Sequence, residues 1–177
     1  GVLGYAKYDV SAGDLASALQ AQGATGIVAS VDNTDTGYKL FGGYKITQNL
    51  GVEVGYTNLG SVKSRATFGG IAGSPLTAKN DLDGFQFAAV ATLPLNETLA
   101  VFGKLGGFAW SLDRTQTSAG VAVAVPDEDG TDLMVGLGAS LKLTENLDLR
   151  AEWERYTNIG SNEGDVDMLS AGITFGF

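Results

Sequence analysis

The side chains that most often perform catalysis are missing from this chain, which contains no histidine and no cysteine. Without them the usual general base, the thiol nucleophile and most metal sites cannot be built. What remains is a set of charged residues in segments that are otherwise apolar or rich in small residues: Glu53, Lys104, Lys142, Arg150 and Glu152. Enclosed charges pair with one another, because an isolated buried charge is strongly unfavourable. The sequence therefore predicts an interior ion-pair network, with no catalytic residues, no metal site and no cofactor.

Hydrophobic residues alternate with polar or small residues along most of the chain, which is the period-two pattern of β-strands. The pattern is clearest over residues 133–143, where Leu, Val and Ala occupy the odd positions and Gly136, Gly138 and Lys142 lie among the even ones. Similar segments are residues 2–10, 38–46, 50–56, 85–95, 99–110, 147–156 and 169–177. They predict about eight strands of roughly ten residues, the length that a tilted membrane-spanning strand requires.

The connections between these strands alternate in length. The short polar turns are residues 47–49, 96–98 and 144–146. The longer polar connections are roughly residues 12–35, 60–81 and 113–130, with a shorter one near 158–165. Outer-membrane barrels have short periplasmic turns and long outside loops. The prediction is all-β: a single domain over residues 1–177, folded as an eight-stranded antiparallel up-and-down transmembrane β-barrel. Residues 14–20 could also form a short helix.

Alternation alone does not decide whether the apolar face lines the barrel, as in a soluble lipocalin-like binding barrel, or faces lipid. The polar face is rich in small residues, which suit the crowded interior of a narrow barrel, and its few charges are of both signs. With the apolar face outward, Arg155 is the one charge on the lipid side, near a strand end where it could reach head groups. Lys104 is placed inside, with Phe102, Phe108 and Trp110 packing toward the outer end. The membrane-spanning arrangement is favoured.

Composition narrows the partners and the location. The net charge of −9 argues against nucleic acid, because phosphate binding requires a basic surface. No stretch reaches the roughly 18 consecutive apolar residues of a membrane helix. The first residues lack the basic and apolar regions of a signal peptide, so the sequence is expected to be that of a mature protein.

Three segments carry a resemblance to a known family. Residues 49–56 (NLGVEVGY), 104–110 (KLGGFAW) and 149–153 (LRAEW) resemble strands three, five and seven of OmpA-like transmembrane domains, including the small OmpA/OmpX-type barrels. The ending, with Ile173, Phe175 and Phe177 alternating, resembles the signal read by the outer-membrane assembly machinery. The resemblance implies a location in the bacterial outer membrane.

The resemblance also gives the interior charges a role. In the family, interior charge pairs plug a narrow lumen, and their rearrangement is proposed to open a small pore. Glu53 and Arg150 match one such pair. The second pair does not match, because Val90 stands where a lysine is expected and Lys142 where a glutamate is expected. Lys142 is then expected either to join the cluster around Glu152 or to stay solvated near the periplasmic end.

Two functions follow from this resemblance, and a third from the soluble alternative. The first is a membrane-anchored structural and surface-display protein, whose loops contact lipopolysaccharide, host surfaces or neighbouring molecules and whose lumen is plugged by charges. The second is a small low-conductance, porin-like channel gated by the interior salt bridges. The third is the soluble binding barrel. A structural role for the network is favoured over a gate, since about eight strands leave an interior only wide enough for side chains.

Two further groups of residues have simple interpretations. The acidic segments 32–37 and 126–132 are expected to be solvated loops, because their spacing departs from that of calcium-binding loops. Several aromatic residues are expected to include membrane anchors at the lipid interfaces: Tyr5, Tyr8, Tyr38, Tyr44, Tyr56, Trp110, Trp153 and Tyr156.

Overall fold

The computed structural model describes residues 1–160 and 164–176. In that part of the chain it contains one helix, α1 (Ala12–Ala21), and ten strands. The strands are β1 (Val2–Tyr8), β2 (Thr25–Asp32), β3 (Thr34–Lys45), β4 (Leu50–Gly69), β5 (Leu76–Pro94), β6 (Leu99–Ser118), β7 (Val121–Val123), β8 (Glu128–Lys142), β9 (Leu147–Ile159) and β10 (Gly164–Phe175).

Eight of the described strands close into a barrel by antiparallel pairing, in the order β1, β3, β4, β5, β6, β8, β9 and β10. The ring closes because β10 pairs back onto β1, from Val2 opposite Gly172 to Tyr8 opposite Val166. Three short connections, β3 to β4, β5 to β6 and β8 to β9, lie at one end of the barrel, together with the start of β1 and the end of β10. We call this end the turn end. The opposite end is the loop end. The eight-stranded antiparallel barrel predicted from the sequence is confirmed.

Three strands run well beyond the barrel wall at the loop end. β4, β5 and β6 contain 20, 19 and 20 residues. The prediction of loops over 60–81 and 113–130 was therefore wrong for much of their length, because β4 pairs with β5 as far as Ala66 opposite Leu76. One face of this extension buries Val62, Ala66 and Leu82 and the other carries Lys63 and Lys79, so the alternation continues, although polar residues interrupt the buried face and weaken the pattern. Together with β2 and β7, which pair with the tips of β4 and β6, we call this extension the outer sheet.

The helix α1 lies in the first connection and packs against the outer sheet. Its N-terminus is closed by a capping box, in which Ser11 Oγ accepts the Asp14 N–H at 3.3 Å and the Asp14 carboxylate accepts the Ser11 N–H at 3.0 Å. The helix buries Leu19 against Ala24 and Ala66, forming a small apolar cluster outside the barrel. It is slightly longer than the short helix considered from the sequence. Among the described residues, no helix has the length and apolarity needed to cross a membrane.

The outer wall of the barrel is apolar and the charges lie inside. Phe85, Leu105 and Leu137, which lie on the outer wall, are 64%, 59% and 63% exposed, whereas Glu53 and Lys104 are buried. A soluble barrel would place its apolar residues inside and its charges in water. The soluble lipocalin-like alternative is therefore rejected, and the apolar-outward orientation is confirmed.

The aromatic residues expected at the lipid interfaces divide between the two faces. Tyr5, Tyr38 and Tyr44 are exposed on the outer wall. Three others are buried inside the barrel, so the expectation was wrong for Tyr8, Trp110 and Tyr156. The reason is strand parity, because each lies an even number of residues from a side chain that points inward.

Candidate functional site: the charge network inside the barrel

Six charged side chains meet inside the barrel, and we call them the charge network. They comprise three cations and three carboxylates: Lys39, Lys104, Arg150, Glu53, Glu152 and Glu154. β3, β4 and β6 each supply one of them, and β9 supplies the other three at a spacing of two, which places them on one face of the strand. The side chains of four of them have no exposed surface. The network is therefore enclosed and formally neutral.

Lys104 occupies the centre of the network. Its Nζ lies 2.6 Å from Glu53 Oε1, 2.8 Å from Glu152 Oε2 and 3.0 Å from Glu154 Oε1. A lysine ammonium has three N–H donors and no acceptor, so these three contacts match its full donor capacity. Each carboxylate in turn contacts at least one further group of the network or its surroundings. Lys104 thus ties together carboxylates from two strands on different sides of the lumen.

Arg150 lies at the turn-end side of the network. Its Nη2 lies 2.9 Å from Glu53 Oε2 and 3.0 Å from Glu152 Oε2. The guanidinium carbon lies 4.6 Å from the ring centroid of Phe41 and 4.2 Å from that of Phe102. Arginine favours such aromatic faces, where its planar cation interacts with the π-electrons. These two rings therefore flank the cation that closes the turn-end side of the network.

Two members of the network were missed in the sequence. Lys39 forms ion pairs with Glu152 and with Glu154, the latter at 2.7 Å. The signal was present, because Tyr38 and Leu40 on either side of Lys39 point outward and Lys39 must then point inward. Glu154 likewise continues the inward series of β9, two residues after Glu152. Strict application of period two would have found both.

Uncharged polar groups extend the network toward the loop end. Gln86 Oε1 accepts a hydrogen bond from Thr57 Oγ1 at 2.9 Å, and Gln86 Nε2 donates to Glu53 at 3.4 Å. The Tyr156 hydroxyl lies 3.1 Å from both Gln86 Oε1 and Glu154 Oε2, and its single proton can serve either acceptor. The buried polar groups around the carboxylates are therefore largely hydrogen-bonded to one another.

Above this polar layer lies an apolar layer that we call the lumen core. Phe108 and Tyr156 pack with their ring centroids 4.6 Å apart. Its buried members are Tyr8, Leu59, Leu82, Phe108, Trp110, Met134, Tyr156 and Met168. Phe108 and Trp110 lie on the loop-end side of Lys104, as predicted. Phe102 lies on its other side, nearer the turn end.

Below the network a cavity of about 380 Å³ opens at the turn end. Its lining includes Glu53 and Arg150 at the inner side and Lys142 toward the mouth. Lys142 has the inward parity predicted for it, but it is exposed, and it takes part in none of the ion pairs among the described residues of the network. Of the two positions expected for Lys142, the structure therefore agrees with the solvated one at the turn end and not with membership of the network, because the residue lies too near the end of β8.

Close backbone approach lets the large side chains fit across the lumen. A Cβ atom on Gly138 would lie 2.3 Å from Phe102 Cζ and 2.7 Å from the Ala151 carbonyl oxygen. A Cβ atom on Gly136 would lie 3.1 Å from Glu154 Cγ. Glycine at these two positions leaves the space that Phe102 and Glu154 occupy. The small residues of β8 thus serve the packing of the network, as their inward parity suggested.

The other candidate residues lie apart from the network. Ile173 and Phe175 are 55% and 68% exposed at the turn-end part of β10, and Phe177 lies outside the described residues. In the acidic segment, Asp127 accepts the Arg114 N–H at 3.0 Å and Asp132 accepts the indole N–H of Trp110 at 2.9 Å. Across the described chain, no group of three or more His, Cys, Asp or Glu residues is arranged to hold a metal ion.

Taken together, this arrangement is suited to neutralising charge inside a barrel. The carboxylates face cations and hydrogen-bond donors on several sides, and the side chains around them fill the lumen toward the loop end. A general acid or base must reach the proton that it transfers on a substrate. Here the carboxylates with no exposed surface, Glu152 and Glu154, face only protein groups.

Comparison with known proteins agrees with the fold. The family model of the OmpA-like transmembrane domain matches residues 6–177. Outer membrane protein A of Yersinia pseudotuberculosis is 30% identical over 183 residues, which cover 100% of this chain and 47% of that protein. Outer membrane protein A of Klebsiella pneumoniae is 28% identical over 151 residues, covering 82% of this chain and 42% of that protein. The chain thus spans less than half the length of these relatives.

Two solved structures share the architecture. Ail, the attachment invasion locus protein of Yersinia pestis, superposes with a TM-score of 0.53 at 16% identity, covering 98% of this chain and 94% of that one. Neisserial surface protein A superposes with a TM-score of 0.54 at 18% identity, covering 99% and 96%. At this identity the likeness concerns the fold alone. The matched family is a membrane-domain family and not an enzyme family, as expected from the sequence, and the location is the bacterial outer membrane. The chain belongs to the OmpA-like transmembrane domain family.

Proposed function

We propose that this outer-membrane barrel anchors a displayed surface and that its lumen is closed by the charge network together with the lumen core. The observation that carries the proposal is the neutral, enclosed set of three cations and three carboxylates beneath a buried apolar layer. A narrow barrel filled in this way has a structural interior. Its contacts with other molecules are then made at the outer wall and at the loop end.

The energetics of buried charge support a structural role. An unpaired charge in a low-dielectric interior costs several kcal/mol, whereas pairing and hydrogen bonding offset much of that cost. Lys104 meets three carboxylates and Arg150 meets two. Opening a path through the network would require several of these contacts to break together. That requirement favours a closed lumen.

The display part of the proposal is supported by the outer sheet and α1. These elements project beyond the barrel wall, and every residue of β2 and β7 is exposed or partly exposed. We place this end outside the cell and the turn end in the periplasm, following the usual construction of outer-membrane barrels. Ail, which shares this fold, has been crystallised in complex with the heparin analogue sucrose octasulfate.

The membrane wall supplies the remaining partners. An outer-membrane location brings the apolar wall into contact with lipid and lipopolysaccharide. We further propose that the exposed Ile173 and Phe175, together with Phe177, belong to the segment read by the outer-membrane assembly machinery.

A narrow pore is the second candidate, and one observation favours it. The cavity at the turn end already reaches Glu53 and Arg150, so only the network and the lumen core separate it from the loop end. Rearrangement of the Arg150 contacts would be the first step of an opening. On this hypothesis the network is a gate rather than a plug.

Planar-bilayer recordings of the refolded protein distinguish the two candidates. For the closed barrel we expect no discrete conductance from the wild type or from Arg150→Ala, and a lower free energy of unfolding for the variant. Lys142→Ala, which removes an exposed cation from the same cavity, is the matched control and should leave stability unchanged. A discrete conductance that changes with Arg150→Ala but not with Lys142→Ala would favour the pore and contradict the closed lumen.

A further inference from the structure

Three cations lie together on one exposed face of the outer sheet, and we call them the basic patch. Lys63 and Arg65 belong to β4 and Lys79 belongs to β5. Lys63 stands directly opposite Lys79 in the strand register, and Arg65 stands opposite Thr77. All three line a shallow surface cavity of about 460 Å³, which also includes the hydroxyl residue Thr115 of β6. The patch is therefore a recess with cations and hydroxyl groups on neighbouring strands.

The charge of this patch is unusual for the chain. The protein carries 11 Lys and Arg residues against 20 Asp and Glu residues, and three of the 11 lie here. Like charges directly opposite each other in a sheet are destabilising. Lys79 is paired with Asp81 at 2.7 Å, but Lys63 and Arg65 make no ion pair within 4 Å among the described residues. Among the described residues that line the cavity there is one carboxylate, Asp32 of β2, which stands opposite Lys63 on the other side of β4 from Lys79.

The height of the patch above the membrane can be worked out from β5. Phe85 lies on the lipid-facing wall, and Lys79 lies on the same face of the strand, further toward the loop end. Six residues at about 3.4 Å each give roughly 20 Å along the strand, and a tilt of about 40° reduces this to about 15 Å in height. The patch therefore lies above the acyl chains, at the level of the saccharides that cover the outer leaflet.

We propose that the basic patch binds phosphate groups on the core saccharide of the surrounding lipopolysaccharide. Lysine ammonium and arginine guanidinium groups recognise phosphate through charge-assisted hydrogen bonds, and arginine does so with two donors at once. Threonine hydroxyls beside them can bond to saccharide hydroxyls. The patch faces sideways along the barrel wall, toward neighbouring lipids. Asp32 and Asp81 balance two of the three cations, and a bound phosphate compensates the remaining positive charge of the patch. This inference relies on the proposed orientation with the loop end outside.

The test compares two variants that each remove two exposed cations. Lys63→Gln/Arg65→Gln alters the basic patch, and Lys45→Gln/Lys142→Gln makes the same change in net charge at the turn end. Each protein is inserted into phospholipid nanodiscs free of lipopolysaccharide, and the folded state is checked by heat-dependent gel migration. The probes are phosphorylated core oligosaccharide released from lipopolysaccharide, the same oligosaccharide after dephosphorylation, inorganic phosphate and a sulfated heparin oligosaccharide. Calorimetric titration gives the dissociation constants.

We expect the phosphorylated core to bind the wild type and the turn-end variant alike, and Lys63→Gln/Arg65→Gln to weaken its binding at least about tenfold, since charge-assisted contacts are lost. Dephosphorylation should weaken binding by a similar factor, and inorganic phosphate should bind more weakly than the phosphorylated core. Equal binding by both double variants would overturn the proposal, and so would equal binding of the dephosphorylated core. Tighter binding of the heparin oligosaccharide at the patch would assign it to a soluble polyanion instead. None of these outcomes depends on conductance, so the closed lumen is judged separately.

Discussion

The most direct test of the network is the removal of its central cation by Lys104→Met. The substitution keeps most of the side-chain volume but deletes the ammonium that contacts Glu53, Glu152 and Glu154 at 2.6, 2.8 and 3.0 Å. Three carboxylates then share two cations, Lys39 and Arg150. The change therefore leaves one negative charge uncompensated in the middle of the barrel.

The size of the effect follows from these contacts. Three hydrogen bonds to charged groups, at about 1.5–3 kcal/mol each, set a gross upper range of about 4.5–9 kcal/mol. Removing the ammonium also removes its own desolvation cost, and the remaining cations still face the carboxylates. Breaking a buried ion pair by deleting one partner typically destabilises by about 3–5 kcal/mol, and we expect Lys104→Met to fall in that range.

The assay is urea-induced unfolding in lipid vesicles, followed by the fluorescence of the two tryptophans. Lys142→Met is the matched control, because this exposed lysine should change the free energy of unfolding by no more than about 0.5 kcal/mol. The double variant Lys104→Met/Glu154→Gln restores neutrality, with two cations facing two carboxylates. Residues in one network couple by about 0.5–3 kcal/mol, so it should recover part of the lost stability.

Two results would refute this reasoning. If Lys104→Met unfolds within about 1 kcal/mol of the wild type, the buried charges are not balanced by the contacts described here. If the double variant is less stable than Lys104→Met alone, charge neutrality is not what the network provides. In both cases gel migration must first show that the proteins are folded.

Three further predictions concern other parts of the barrel. Leu137→Arg places a cation on the lipid-facing wall, which should cost about 2–4 kcal/mol and reduce the folded fraction seen by heat-dependent gel migration. Gly138→Ala forces Phe102 or the neighbouring backbone to move, and we expect a loss of about 1–3 kcal/mol in urea unfolding. At the loop end, the backbone N–H groups of Ser61 and Thr36 hold the pKa of the Asp35 carboxyl below its ordinary value. Its stabilising contribution is present above the unfolded-state pKa and is lost as the pH falls through the lower folded value. The Ser61 hydroxyl also donates to this carboxylate at 3.0 Å, so a carboxyl NMR titration should show a lowered pKa in the wild type and a higher one in Ser61→Ala, which loses that hydroxyl.

Each of these predictions has a simple control or an opposing outcome. Leu137→Met keeps the wall apolar and should fold normally, so normal folding of Leu137→Arg as well would contradict the lipid-facing assignment. Gly42→Ala adds a methyl group where no atom lies within 4 Å, and a loss equal to that of Gly138→Ala would argue against crowding. An Asp35 carboxyl that titrates at or above its ordinary value would contradict the hydrogen-bond geometry at the loop end.

The sequence predicted the barrel and the central part of its network because both depend on period two. Each inward residue of a strand implies the next, so Arg150 and Glu152 could be placed together, and Glu154 could have been added by the same rule. The position of a residue along the barrel axis depends on how neighbouring strands are staggered. The alternation of apolar and polar residues gives no information about that stagger. Lys142 therefore had the correct parity but lies at the mouth of the cavity, outside the network.

The outer sheet was harder to predict by the same means. Residues 61–69 and 76–82 bury Val62, Ala66 and Leu82 on one face, but polar residues such as Ser64 and Asn80 interrupt that face and weaken the alternation. The helix α1 shows the opposite case. Ser11 followed by Asp14 is a local pattern that predicts a capped helix. The neighbouring sequence does not indicate that Leu19 packs against Ala66. Tertiary contacts of this kind lie beyond any single-sequence pattern.

The small apolar cluster beneath α1 is distinct from the lumen core, and β2 packs against both, with Ala29 in contact with the first and Val31 with the second. Peripheral segments unfold locally at free energies below that of the whole molecule. We therefore expect α1 to open and exchange its amide hydrogens while the ring of strands stays closed. Because the contacts that stabilise the barrel lie inside it, residues on the surface that faces the environment can be substituted while the barrel fold is kept.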